Sequence, residues 1–227
     1  MSRLFVTATG TDIGKTHVSA LILSQLKAKG LNPLGLKPVL SGFDDEGVAE
    51  SDPARLLEAM GEAATLESIA TIAPWRFRAP LSPDMAASAE GRTLPFEEMV
   101  AFCLETAGRH EGPLLVEGVG GVMVPLDDRH TVLDWMAELG FPAVLVAGTY
   151  LGTISHTLTA LEVLKARSIP VRAVVLSESP NATVSTDETV VTLRRFMDAG
   201  GFAQTNIWVV PRGGDNKAPD LTDLLTQ

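Results

Sequence analysis

The first apolar run of the chain is Leu4-Phe5-Val6, and a polar stretch bearing glycines, Thr7 to Thr16, follows it. Beyond that stretch Val18, Leu21, Ile22 and Leu26 recur at helical spacing, and Gly30 stands where a helix should stop. The order is therefore strand, turn, helix. Leu34 to Leu40 reads as a second strand, with Lys37 and then Pro38 inside it. Asp52-Pro53 predicts a helix start, with Asp52 as cap and Gly61 as the stop. Ser82-Pro83 repeats the device for a helix to Glu90, ended by Gly91. A longer helix is expected from about Phe96 to Arg109. Leu114-Leu115-Val116 is a short continuous apolar run, as in a strand buried on both faces, and it ends in Glu117 before a glycine turn. Ala143 to Ala147 is another such strand, leading through Thr149 to Thr153 into a helix of about Ser155 to Ala166. A strand from Arg172 to Leu176, a polar loop from Ser177 to Thr186 and a helix from about Asp187 to Ala199 come next. Ile207 to Val210 is the last strand, closed by Pro211, and a loop then precedes a short terminal helix.

Short strands alternating with helices predict an α/β fold, with a mostly parallel sheet covered by helices on both faces. Sites in such folds gather at the C-terminal ends of the strands. The loop after the first strand, Lys37, Ser41, Glu117, Leu151 to Thr153 and Ser177 all follow strands and can converge on one crevice. With 227 residues and no long linker, tract or repeat, a single domain over residues 1–227 is expected. An apolar fraction of 45% supplies its core. The net charge of −10 argues against nucleic acid or an anionic membrane as partner. No apolar run reaches membrane-spanning length, and residues 1–14 lack the pattern of a signal peptide. The lone cysteine, Cys103, lies in an apolar helical pattern, which excludes an internal disulfide and suits a reducing cytoplasm.

Residues 7–16 read TATGTDIGKT. Between a strand and a helix, such a loop can cradle phosphates: backbone N–H groups and the helix dipole favour an anion, Lys15 reaches the outer phosphates, and the Thr16 hydroxyl ligates Mg²⁺. This is the phosphate-loop NTPase arrangement in a variant form. The usual first glycine would fall at residue 9, which is Thr9, and Ala8 precedes it. An ordinary βα turn is the alternative. Other positions also carry two readings. Lys37 is a ligand-facing cation at a strand end, or an edge-strand lysine pointing to water. Glu117 serves Mg²⁺, or forms a salt bridge. The four histidines, His17, His110, His130 and His156, show no metal-ligand spacing. Asn216-Lys217-Ala218-Pro219-Asp220 is one residue too long for a guanine-reading motif and reads as a loop.

Taken in order, these residues resemble the dethiobiotin synthetase family over nearly the whole chain. The resemblance rests on residues 9–16, on Lys37-Pro38-Val39 with Ser41-Gly42, and on Ser51-Asp52, Ser82-Pro83 and Glu90-Gly91-Arg92. It rests also on Val116-Glu117-Gly118 with Gly120-Gly121, and on Leu151-Gly152-Thr153-Ile154 with His156. It implies ATP-dependent closure of a cyclic urea from 7,8-diaminononanoate and CO₂, through a carbamate and a carbamic–phosphoric anhydride. By the same resemblance Lys15, Lys37 and Thr11 are catalytic. Mg²⁺ is held by Thr16, Asp52 and Glu117. The nucleotide meets Asp12, Ile13, Gly14, Lys15, Thr16, His17, Ser177 and Pro211. The diamine meets Ser41, Ser82, Leu151, Gly152 and Thr153, the last three from the neighbouring subunit of a homodimer with shared sites. The free N–H groups at that helix start are expected to take the substrate carboxylate. Three departures stand out: Ala8 in place of a loop glycine, Asp12 where the family commonly has Glu, and Ser177 in place of the asparagine that reads adenine. A nucleotide-switched ATPase of the partitioning or septum-positioning type is the rival. It would carry a signature lysine early in the loop, where this chain has Gly10.

Overall fold

The structure is a computed structural model, and it describes residues 2–180, 182, 184–212 and 218–226. The first strand, β1 (Arg3–Ala8), is buried along its whole length. It leads through the glycine-bearing loop into α1 (Lys15–Ala28). After β2 (Leu34–Leu36) the chain does not continue as one strand to Leu40. Pro38 has no N–H to give to a ladder, and the Lys37 N–H turns instead to the Ile72 carbonyl at 3.0 Å. The expected single strand is therefore two. The second piece, β3 (Val39–Ser41), leaves the main sheet. A 3-10 turn over Asp45–Glu50 leads to α2 (Asp52–Met60). Its cap is Ser51, whose hydroxyl accepts from the Ala54 N–H, and not Asp52, whose carboxylate is thereby left for other work.

Two elements not expected from the pattern come next: α3 (Leu66–Ile72) and β4 (Trp75–Phe77). β4 pairs in parallel with β3, with Ser41 opposite Phe77, to form a separate small sheet. α4 (Pro83–Ala89) and α5 (Phe96–Arg109) run as expected, although Ser82 makes no side-chain cap. β5 (Leu114–Glu117) is followed by a third unexpected element, α6 (Val132–Leu139), opened by a Thr131–Asp134 capping box. Its Trp135 meets Phe5 edge-on at 4.9 Å, filling the face of the sheet beneath β1. β6 (Ala143–Ala147), α7 (Thr153–Ala166), β7 (Val171–Ser177), α8 (Thr186–Ala199), β8 (Asn206–Val210) and α9 (Asp223–Thr226) complete the order. Of the segment Asn216 to Asp220, Asn216 and Lys217 lie outside the described residues.

The main sheet has six strands in the order β2-β5-β1-β6-β7-β8, with every described pairing parallel. β1 lies inside it, between β5 and β6. Full burial of β1, β5 and β6 means that both faces are covered by helices. Val6 stands opposite Glu117, so the first loop and the carboxylate emerge side by side at one edge of the sheet.

Candidate functional site

Two main-chain hydrogen bonds hold the β5 exit against the β1 exit: Gly118 N–H to Val6 O at 2.9 Å and Val122 N–H to Ala8 O at 3.1 Å. Gly121 touches the Gly10 backbone closely enough that an added Cβ would lie 3.3 Å from it. The loop over residues 9–14 closes on Gly14, the N-cap of α1, with φ of 101°. An L side chain is strained at that angle, and a Cβ there would also stand 2.4 Å from the Ser177 hydroxyl. Gly14 is thus fixed by backbone and by packing. Asp12 has φ of 56°, a conformation that aspartate tolerates better than most residues. No side chain caps the start of α1, so its first-turn N–H groups face the loop.

Lys15, from the first turn of α1, donates to Gly10 O at 3.2 Å and is almost wholly buried. Burial is the main cause that pulls its pKa down to about 8. Lys37 adds to the shift, against the opposing pull of Glu117, Asp52 and Asp12. Thr16 donates its hydroxyl to Glu117 Oε1 at 2.8 Å. The reading of Lys37 as a solvent-facing lysine is overturned. Its chain follows an edge strand, but its side chain is 2% exposed. The ammonium donates to Glu117 Oε1 at 2.6 Å and to Gly118 O at 3.0 Å, and it pairs with Asp52 Oδ2 at 3.1 Å. Burial opposes that charge, yet the Glu117 and Asp52 carboxylates together hold the Lys37 pKa above its ordinary value. Burial opposes the charge of Asp52 too, yet Lys37, the Thr16 hydroxyl and Lys15 together hold its carboxyl below the usual carboxylate range. Glu117 is fully buried, and its second oxygen, Oε2, has no hydrogen-bond partner among the described residues. The salt-bridge reading of Glu117 thus holds for one oxygen, and the other is uncommitted among the described residues.

All of these groups but the fully buried Glu117 line one cleft of about 340 Å³. Thr11, Asp12, Gly14, Lys15, Thr16 and His17 come from the loop and α1, Lys37 and Ser41 from the β2–β3 segment, and Asp52 from α2. Arg55, one turn along α2 from Asp52, lines it as well and was missed by sequence reading. Its spacing of three from Asp52 was the available signal. Among the other expected residues, Ile13 packs against the core. Ser177 ends β7 with its hydroxyl turned to the back of Gly14, so it supports the loop. Pro211 follows β8, and Ser82 precedes α4.

Leu151, Gly152 and Thr153 lie outside this cleft, bordering a separate pocket at the start of α7. There the expectation of free N–H groups needs correction at one position. The Thr153 N–H already donates to Tyr150 O at 3.1 Å, and its hydroxyl to Gly148 O at 2.7 Å. Cys103 is fully buried, and burial pushes its thiol up to about 12, away from the thiolate form that reacts.

Comparison with known proteins gives three findings. The AAA domain family model matches residues 2–204. The ATP-dependent dethiobiotin synthetase BioD of Acidiphilium cryptum is 51% identical over 200 residues, covering 88% of this chain and 90% of the relative. The protein of the same name from Caulobacter vibrioides is 47% identical over 226 residues, covering 99% of both chains. Among solved structures, a ParA family ATPase from Chlorobium tepidum superimposes with a TM-score of 0.56 at 12% identity, over 95% of this chain and 87% of that one. The MinD cell division protein of Aquifex aeolicus gives 0.51 at 13% identity, over 99% and 86%. At such identities the likeness is one of fold.

Proposed function

The chain belongs to the ATP-dependent dethiobiotin synthetase family, and we propose that its phosphate-loop cleft carries out the phosphoryl-transfer step of that synthesis. The protein is a ligase that forms dethiobiotin with ATP. The observation that carries the assignment of the site is the cleft lined by Lys15, Thr16, Lys37 and Asp52, with Glu117 buried against Thr16 and Lys37 and its Oε2 left without a partner among the described residues.

The donors suit Mg²⁺. They are hard oxygens, few in number, and the uncommitted Glu117 oxygen is a buried acceptor that calls for a cation or its water. Among the described residues no group of three or more His, Cys, Asp or Glu side chains gathers as a metal cage. That also suits an ion that keeps waters and takes substrate phosphates as ligands. Thr16, Asp52 and Glu117 would hold it. When bound, it would supply neutralisation of the charge that builds on the phosphoryl oxygens.

One amine of 7,8-diaminononanoate adds to CO₂ and loses a proton, giving a carbamate. A carbamate oxygen attacks the γ-phosphorus of ATP and ADP leaves, which gives a carbamic–phosphoric anhydride. The second amine attacks the carbonyl, phosphate departs, and the cyclic urea closes. The chain's own residues position and neutralise. The α1 first-turn N–H groups and Lys15 hold the phosphates, Lys37 stands behind the carboxylates, and Thr11 and Ser41 offer hydroxyls to phosphate or carbamate oxygens. Asp12, Ile13, Gly14, His17, Ser177 and Pro211 form or support the nucleotide side, and Ser82 belongs with the substrate. The test is product formation from diamine, bicarbonate and ATP. Hydrolysis stimulated only by a protein partner would favour the nucleotide-switched reading instead.

Glu117→Gln should raise the Mg²⁺ concentration for half-maximal turnover at least tenfold, because it removes the anionic charge that receives the ion. An unchanged Mg²⁺ requirement in a titration at saturating ATP would reject the metal role.

We also place the working unit as one domain and as a homodimer in the cytoplasm. Leu151 is 80% exposed beside the N-terminus of α7, an apolar side chain that an interface would cover. No helix among the described residues is long and apolar enough to cross a membrane. Leu151→Glu should turn the dimer into monomer in sedimentation and lower turnover in parallel. A fully active monomer would end the shared-site reading.

A further inference from the structure

Beyond the cleft, the small sheet carries a second concentration of charge. β4 and the residue after it read Trp75-Arg76-Phe77-Arg78, so the two arginines fall on the same side of the extended chain while Phe77 is buried. The turn after α4 adds Arg92. The three guanidinium groups line a pocket of about 260 Å³ with Phe43, Phe77, Asp45 and Glu90.

Two of the arginines are held in place. Arg76 lies 5.3 Å over the Phe43 ring and donates to Ala73 O at 2.7 Å. Arg92 lies 4.7 Å over the Phe77 ring and donates to Arg76 O at 3.2 Å. Stacking and anchoring leave the remaining N–H groups of each planar fork fixed in direction. Glu90 is engaged within the pocket: Oε1 accepts from the Arg78 main-chain N–H at 2.7 Å, and Oε2 takes the same Arg92 nitrogen that reaches Arg76 O, at 2.9 Å, leaving the other Arg92 N–H groups for a ligand. The Arg78 side chain makes no hydrogen bond among the described residues. Three cations thus face two carboxylates in a chain whose net charge is −10. Such a local excess runs against the field of the whole molecule.

We propose that this pocket binds a compact oxyanion of the phosphate class, clamped by Arg76 and Arg92 and closed by Arg78. Preorganised guanidinium forks match phosphate oxygens in pairs, which a loose lysine patch would not. Glu90 already competes for Arg92, and Asp45 is the second carboxylate that lines the pocket. The pocket is tied to the phosphate cleft, because Ser41 pairs with Phe77 across β3 and β4 and the Phe43 N–H donates to Phe77 O at 3.0 Å. Phosphate is also what the reaction releases. A link to turnover therefore rests on the function proposed above, whereas the binding itself does not.

The test loads the phosphate loop with a non-hydrolysable ATP analogue and Mg²⁺, then titrates inorganic phosphate by calorimetry. The loaded wild type should bind one phosphate in the millimolar range. Arg78→Ala should weaken it about tenfold or more, since a charge-assisted hydrogen bond is lost. Asp45→Asn should tighten it several-fold. Arg78 is exposed and its anchoring N–H survives substitution, so thermal midpoints should be unchanged. Should Arg78→Ala prove unstable, Arg78→Gln takes its place. The proposal is overturned by an absence of phosphate heat in the loaded wild type, or by equal affinity in the arginine variant. Failure of the phosphate-loop reading would show separately, as failure of the analogue to bind.

Discussion

Lys37→Gln should lose most of its turnover and much of its stability together. The ammonium is buried between Glu117, which is fully buried, and Asp52, at 2.6 and 3.1 Å. Removing one partner leaves a carboxylate uncompensated in the interior, which costs about 3–5 kcal/mol. That is a large share of the roughly 5–15 kcal/mol that holds a domain folded. In a chain of this size it should lower the thermal midpoint by roughly 6–20 °C. The share of this loss that comes from the unpaired buried charge needs a separate readout, and a double substitution supplies one. Lys37→Met with Glu117→Leu removes the fully buried pair and leaves only the part-exposed Asp52, and exchanging a buried ion pair for apolar groups is often neutral or stabilising. The double variant should therefore recover most of the melting temperature, while turnover stays lost because Glu117 itself belongs to the proposed Mg²⁺ site. A double variant no more stable than Lys37→Gln would remove the buried-pair account. One that regained turnover would remove Lys37 from the reaction. The pair also sets a pH window. The Lys37 pKa is raised, so its contribution is complete below the unfolded lysine value and is lost as pH rises through the folded one. The Asp52 pKa is lowered, so its contribution is complete above the unfolded aspartate value and is lost as pH falls through the folded one.

The elements that sequence reading located well share one property: their identity is settled by local pattern. The short runs at Leu114 and Ala143 read as buried strands and are so, and the Thr7 to Thr16 stretch joins a strand to a helix as its flanks suggested. The failures are of another kind. Leu34 to Leu40 is continuous as an apolar pattern, but Pro38 divides it, and the second half finds its partner at Trp75, far along the chain. No local signal names that partner. α6 was missed although Thr131, Asp134 and Gly140 carry a capping box and a stop, because glycine-rich residues before it masked the helical period. At the site, sequence reading named groups that the fold brings together, but not their pairing. Asp52 before a proline is a sufficient helix cap on paper. Only the fold gives that task to Ser51 and turns Asp52 toward Lys37. Likewise Thr153 looks like a free donor until Tyr150 O is seen to hold its N–H.

Lys15→Ala should behave in the opposite sense from Lys37→Gln: activity falls and stability does not. Lys15 has no carboxylate in contact among the described residues and donates only to a carbonyl, Gly10 O. Loss of one fixed cation beside the transferring phosphoryl should lower turnover by about 10²–10³. Its effect on folding follows from its pKa. The value is about 8 in the folded protein, against 10.5 for a free lysine, so the fold disfavours the charged form. That penalty is fully present below pH 8 and disappears as pH rises from about 8 towards the unfolded value, where the unfolded chain binds more protons than the native one. Ligand-free wild type should thus gain stability across this interval, while Lys15→Ala stays flat. At neutral pH the variant should melt no lower than wild type. Nucleotide reverses the balance, because a triphosphate restores the charge on Lys15. Binding above pH 8 should therefore take up a proton, seen as a dependence of the calorimetric enthalpy on buffer ionisation, and affinity should fall with pH. Lys15→Ala should show neither effect. Equal proton uptake by the two proteins would place the titrating group elsewhere. Near-normal turnover in the variant would remove the phosphate loop from the reaction altogether.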